Sequence, residues 1–363
     1  MTPTDDQYWT DYDGLQHAKH ALLNRYLGGW YPILSSWYGR VLYIDCHAGR
    51  GRHQSGQEGS PILALKRLLE HREKDRILSS TEVHFVFFEI DQINYDELCS
   101  EVDALGTLPK NVYVHPYQED YEAYLRGLIA ELKSHGQQMA PAFAFVDPYG
   151  FKIPMDLLNQ LLAFPRCELL INFMFRYVDM AIRIPDQSTN MDELFGTHEW
   201  RKLVDIHDYK TRVKQTIRLY AGQLSAQYVT TMNMLGKNNA VKYVLIHATN
   251  HQKGRELMKG TLWAVTPDGT FTAHELHTPE QLVLLAPEPD LRLLKNNLSR
   301  EFAGQTIRME QLYEWLLDTL YLRKHLHQIL REMRKEGMAL FSDYDGSFAF
   351  KKNPCVEIKM ITS

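Results

Sequence analysis

At 363 residues the chain is long for one domain and calls for at least two folding units. Its 44% hydrophobic and 23% charged content is that of an ordinary globular protein, and no low-complexity tract or internal repeat interrupts it. The net charge of −5 gives no overall pull towards a polyanion, while a local basic face stays open. Four cysteines (Cys46, Cys99, Cys167 and Cys355) stand far apart without a CxxC pair. That spacing argues against a disulfide framework or zinc knuckle and for a reducing compartment. A polar N-terminus and the lack of any long apolar run point to a cytoplasmic protein with no membrane span.

In chain order, residues 15–37 carry Leu22, Leu23, Tyr26 and Leu27 at helical spacing. "RVLYID" (40–45) reads as a buried strand ending at a glycine turn. "SPILALKRLLEHREK" (60–74) reads as a helix with Ser60 as N-cap and Pro61 in its first turn. "EVHFVFFEID", "NVYVHP", "PAFAFVDPYG" and "CELLINFMF" supply four more strands, with helices between them. Strands alternating with helices predict a Rossmann-like, doubly wound α/β sheet, parallel and covered on both faces. Residues about 176–238 read as a helical insertion or lid. "VKYVLIHATN" (241–250) and "GTLWAVTPDGTF" (260–271) read as late strands.

A Pro-rich break at 284–290 divides residues 1–285 from a separate unit, 291–363, that reads helix, helix, hairpin. The hairpin is expected to turn at Asp345-Gly346. This winged-helix-like tail holds twelve Lys and Arg against nine Asp and Glu, a net +3 that leaves −8 for the remainder. Arg323, Lys324, His327, Arg331, Arg334 and Lys335 lie around its second helix and could meet DNA or RNA phosphates. Glu332 and Glu336 interrupt them, so a solvated mixed face or a protein contact is the competing reading.

Ligands of an open parallel sheet bind beyond the C-terminal strand ends. Three strands here end in acids: Asp45 before "CHAGRG", Glu89 after "FVFF", and Asp147 in "DPYGF". Gly49 and Gly51 allow positive φ and close backbone approach. Asp45 suits a cationic amino group, and Glu89 suits ribose hydroxyls. No GKS or GKT phosphate loop is present, and the dinucleotide glycine spacing is not met.

The pattern Asp45-x-x-Ala48-Gly49-x-Gly51, followed by a strand-end acid and Asp147-Pro148-Tyr149, resembles S-adenosylmethionine-dependent methyltransferases. In that resemblance Asp147 and the Pro148 carbonyl accept the hydrogens of an exocyclic amine, while Tyr149 or Phe151 stacks on the base. A plain strand-closing turn is the alternative for the same motif. "AKHALLNRYLGGW", "YIDCHAGRGR", "GSPILAL", "FVFFEID", "FVDPYGFKIP", "ELLINFMFRYVD", "LFGTHEW", "YVLIHATNHQKGRELMKGTLWAV" and the tail fall in order. Together they resemble the three-Cys-motif partner protein family, a bacterial and phage-associated group. The resemblance implies a methyltransferase-type core, a C-terminal winged helix and a cysteine-motif, radical-SAM-like partner.

Where that family's turn usually has Phe-Ala-Gly-Pro-Gly, this chain has His47-Ala48-Gly49-Arg50-Gly51. His47 reads as a backbone hydrogen-bonding group ahead of a stacking group or base. Arg50 would place a cation near a sulfonium and suits a phosphate better. Lys19 and His20 read as exposed surface charge, and Asn172 as either a pocket group or a strand-end cap. No metal site is expected, because His247 and His251 have no third ligand in view. Cys46 should be a poor nucleophile beside Asp45. Two activities stay open: a methyltransferase acting on an exocyclic amine of a nucleic acid, or a non-catalytic module that binds S-adenosylmethionine or another nucleotide. In the latter, Arg50 could hold a phosphate.

Overall fold

In the computed structural model, residues 13–37, 39–275, 290–342 and 353–359 are described. The chain divides into two compact units, Met1–Thr261 with Phe271–Val283, and Leu262–Thr270 with Leu284–Ser363.

The first unit opens with α1 (Gly14–Ser35), whose N-cap Asp13 accepts the Leu15 and Gln16 N–H groups. Five parallel strands follow: β1 (Arg40–Asp45), β2 (Glu82–Phe88), β3 (Val112–Tyr117), β4 (Ala142–Val146) and β5 (Cys167–Phe173). Between them run α2 (Ser60–Leu69), α3 (Lys74–Leu78), α4 (Gln92–Asp103), α5 (Tyr121–Ser134) and α6 (Met155–Leu162). β4 and β5 are buried at every position, as strands covered on both faces must be. The expected N-cap Ser60 is instead the first helical residue, and Gly59 caps α2 without a side chain.

The stretch expected to be an insertion is helical only in part. After α7 (Phe175–Ala181), α8 (Ser188–Phe195) and α9 (Tyr209–Gln223), the chain forms β6 (Tyr228–Leu235). Thr230, Met232 and Met234 are buried at strand period, so β6 takes a place in the sheet. β7 (Val241–Thr249) forms as expected. The other late strand is displaced: Gly260–Val265 belongs to α10 (Gln252–Val265), and only β8 (Thr272–His274) is extended. Thr261 and Thr266 donate to the carbonyls four residues earlier, which a helix alone provides.

The sheet order is β3-β2-β1-β4-β5-β7-β6-β8, with β7 antiparallel to both neighbours. The order reverses at β1, between β2 and β4, and this is the switch point of the doubly wound sheet. The unit is a Rossmann-like, doubly wound α/β fold.

The second unit packs α11 (Arg292–Phe302), α12 (Met309–Leu317) and α13 (Arg323–Lys335) around a core of Leu294, Leu298, Leu312, Leu326 and Leu330. Three short strands, β9 (Thr306–Arg308), β10 (Ala339–Ser342) and β11 (Cys355–Ile358), pair antiparallel in the order β10-β11-β9. The expected turn at Asp345-Gly346 lies outside the described residues.

Candidate functional site

The switch point gathers the expected acids. β1 delivers Asp45 to its C-terminal end, and the chain then turns sharply through Gly49 at φ 63° and Gly51 at φ 78°. A side chain at Gly51 would be strained by that φ. Its Cβ would also press on Leu98, Glu101 and Ile62 at 3.2–3.3 Å. The turn is anchored to the neighbouring strands, with Cys46 N donating to Phe145 O and Ala48 N to Phe88 O.

Glu89, just beyond β2, accepts the Gly49 N–H at 2.9 Å and the Asp91 N–H at 2.8 Å. Burial nonetheless pushes its carboxyl upward, against those hydrogen bonds. Asp45 is fully buried, with hydrogen bonds from Tyr43 Oη at 3.2 Å and the His47 N–H at 3.3 Å, and a further one from Ser60. Burial pushes its carboxyl up to about 7, and no salt bridge reaches it among the described residues.

The third acid is arranged differently. Asp147 Oδ2 meets Lys19 Nζ at 2.5 Å, and Asp147 Oδ1 accepts Asn172 Nδ2 at 2.5 Å. Burial alone would raise its pKa, yet the Lys19 charge and these two hydrogen bonds hold it below the ordinary carboxylate value. Lys19 is only 2% exposed, so it is not the surface charge its sequence position suggested. α1 lays it over the strand ends, where Asp147 compensates it. His20 is buried as well. Burial and the Lys19 charge pull its imidazole down to about 3, and the same two causes take His53 to about 4. His20 and His53 lie 6.1 Å apart, centroid to centroid.

His47 packs on Tyr121 at 4.8 Å, and burial lowers it to about 4. Its Nδ1 is buried without a partner, so the expected backbone bond from the ring is not formed at that atom. Arg50 Nε donates to Asn94 Oδ1 at 2.6 Å and lies 3.7 Å from Glu97, so α4 amide and carboxylate groups attract the guanidinium. Pro148 and Tyr149 follow β4, with Tyr149 52% exposed. His247 takes a structural place, 3.2 Å from Glu168, which also accepts the Tyr26 hydroxyl. Burial first, then Asp45, raises the Cys46 thiol well above its usual range.

Residues 273–346 match the GMT-like wHTH domain family. No curated protein matches the chain. Among solved structures, a Legionella pneumophila protein of the DUF519 family is 14% identical. The alignment covers 66% of this chain and 85% of that one, with a TM-score of 0.39. Trm1 from Pyrococcus horikoshii, solved with S-adenosyl-L-methionine, is 14% identical over 98% of this chain and 93% of its own, at 0.37. The methyltransferase domain of bacterial CtHen1-CN is 13% identical over 63% and 99%, at 0.30.

Within the wHTH unit, α13 carries the expected basic residues, and Arg323, Lys324, Arg331, Arg334 and Lys335 are all exposed. Arg323 lies over the Tyr313 ring at 4.6 Å and Arg334 over Phe341 at 5.7 Å. His327 Nε2 is 2.7 Å from Tyr313 Oη. Burial together with Arg331 and Arg323 lowers its imidazole to about 4, so it is neutral at pH 7.

Proposed function

We propose that this chain is a methyltransferase using S-adenosylmethionine and acting on a nucleic acid. The observation that carries the reading is the Asp45 carboxylate, buried at the switch point directly before the glycine turn, with no salt bridge among the described residues. An ammonium group such as that of the methionine moiety would relieve its desolvation. Glu89 fits the ribose, since its two oxygens keep lone-pair capacity beyond the backbone N–H groups they accept. Ala48, Gly49 and Gly51 would lie along the cofactor, with His47 at its edge. When bound, the cofactor supplies an electrophilic methyl group. The protein's part is then positioning, with Asp147, Pro148 and Tyr149 beside the acceptor.

The wHTH unit would present Arg323, Lys324, Arg331 and Arg334 to DNA or RNA phosphates. A cysteine-motif, radical-SAM-like partner is proposed from sequence resemblance alone, and co-purification of the two proteins would test it. An exocyclic-amine acceptor requires an Asp147 oxygen to exchange its Lys19 or Asn172 partner for an amine hydrogen. That occupancy favours the alternative reading, a non-catalytic module that binds cofactor and nucleic acid without turnover.

Isothermal titration with S-adenosylmethionine and S-adenosylhomocysteine, beside Asp45→Ala, tests the cofactor reading. Micromolar binding lost in the variant is expected. Folded wild-type protein that binds neither compound would sink it.

A further inference from the structure

A pocket opens at the other end of α1 from the switch point. Lys19 lies over the strand ends, whereas Tyr26, Trp30 and Trp37 line a cavity of about 300 Å3 together with the starts of β5 and α10. Trp30 is roughly 16 Å along the helix from Lys19. No residue of the glycine turn and none of the three strand-end acids lines the cavity.

Burial sets its depth. Tyr26, Trp30 and Glu168 are buried and form the floor, and Trp37, Arg166, His251 and Lys253 are exposed and form the mouth. Gly254 lets α10 start directly against the floor, since a Cβ there would lie 2.7 Å from Glu168 Oε2. The Tyr26 hydroxyl and His247 Nε2 both meet that same oxygen. No hydrogen bond reaches Glu168 Oε1 among the described residues, and that atom is not sealed from solvent. The floor therefore offers an acceptor. The mouth is opposite in character. Lys253 Nζ lies 5.3 Å from the Trp37 ring centroid, and Arg166 stands directly before β5. His251 Nδ1 accepts the Lys253 N–H, so the neutral ring carries its proton on Nε2 as a further donor.

This polarity selects among ligands. The cationic mouth opposes a basic peptide, and a fatty acid would bury the Glu168 oxygen against hydrocarbon. An amino acid holds its ammonium and carboxylate on one carbon, too close together to reach floor and mouth at once. From Trp30 to Trp37 the helix rises roughly 10 Å, a span that a nucleobase and its 5′-phosphate cover. We propose that the cavity binds a nucleoside 5′-monophosphate unit whose base carries an amino group, either free or at the end of a nucleic acid. The amino group donates to Glu168 Oε1, the base lies against the aromatic walls, and the phosphate meets Lys253, Arg166 and His251. The volume suits one nucleotide, at the small end of ligand pockets. The site is independent of the methyltransferase reading.

Isothermal titration of the full-length protein with AMP, GMP, CMP and UMP, and with the matching nucleosides, tests the assignment. At least one amino-bearing nucleotide should bind, with UMP and the unphosphorylated nucleoside each about tenfold weaker or more. Lys253→Ala and Trp37→Ala alter exposed side chains and should each weaken binding about tenfold, with Tm unchanged. A millimolar excess of S-adenosylhomocysteine should leave the nucleotide affinity as it was. Displacement by a 5′-phosphorylated oligonucleotide identifies a strand end as the source, and lack of competition identifies the free nucleotide. UMP bound as tightly as the others, affinity untouched by both variants, displacement by S-adenosylhomocysteine, or no saturable binding to folded protein overturns the proposal.

Discussion

The Gly49 N–H donates to Glu89 Oε2 across 2.9 Å, so the acid that ends β2 holds the turn that follows β1. One carboxylate thus has two duties, fixing the turn's shape and facing the ligand. Glu89→Ala should lower stability by about 1–3 kcal/mol, because it leaves the partly buried Gly49 N–H without its acceptor and also removes the exposed Asp91 N–H bond. Glu89→Gln keeps one carbonyl oxygen and should cost less. Denaturant titration of both variants, paired with cofactor calorimetry, checks the order: affinity should fall in both, and most in the alanine variant.

Asp45 sets a pH dependence whose sign follows from its raised carboxyl. From an ordinary value of 3.8 to about 7 is a shift of about three units, at ~1.4 kcal/mol each. A raised acid contributes stability that is fully present below the unfolded value and is lost as pH rises through the folded one. Between pH 4 and 7 the wild type should therefore lose up to about 4 kcal/mol relative to Asp45→Asn. Thermal melts of the two proteins across that range measure the gap. A gap that stays constant with pH would rule out the uncompensated acid.

The Lys19–Asp147 pair should behave as a buried ion pair under mutation. Lys19→Met is expected to destabilise the first unit by about 3–5 kcal/mol, since a buried carboxylate is left alone. Adding Asp147→Asn should recover most of that loss, because the charge is gone and the asparagine carbonyl still accepts from Asn172. A double-mutant cycle by urea unfolding gives the coupling directly, and additive losses would contradict it.

On α13, exposure separates contact from scaffold. Lys324→Ala and Arg331→Ala should each reduce the salt dependence of nucleic-acid binding by about 0.7–0.9 in log–log slope, whatever the sequence bound. His327→Ala should leave that slope unchanged and lower the melting temperature instead, because its neutral ring is bonded to Tyr313. Anisotropy titrations at several salt concentrations separate the two outcomes.

The parallel half of the sheet was legible in sequence because β1, β2, β4 and β5 are short apolar runs closed by acids, glycines or prolines. β6 was missed: Thr230, Met232 and Met234 alternate with less buried residues, but its polar content masks the period. Trp263, Ala264 and Val265 read as strand because β-rich composition outweighed the helical register that continues from Leu257 and Met258. Of the site, the acids and glycines were visible, whereas Lys19 was not. Its compensating charge lies 128 positions away, and no local pattern tells a buried lysine from an exposed one. The contacts of Arg50 with Asn94 and Glu97 were hidden for the same reason, since they too are a property of the fold.

The antiparallel slot of β7 has a consequence for synthesis on the ribosome. β5 is buried along its whole length, and one of its edges is covered only by a strand that starts at Val241. At ordinary elongation rates the interval from Phe173 to Val241 takes roughly 3–14 s. During that time the nascent chain carries an open, largely apolar strand edge, a ready template for pairing with another chain. β6 and β7 pair with each other, so they can close that edge as one preformed hairpin. Slow codons placed just after β5 should therefore lower soluble yield more than the same codons placed after β7.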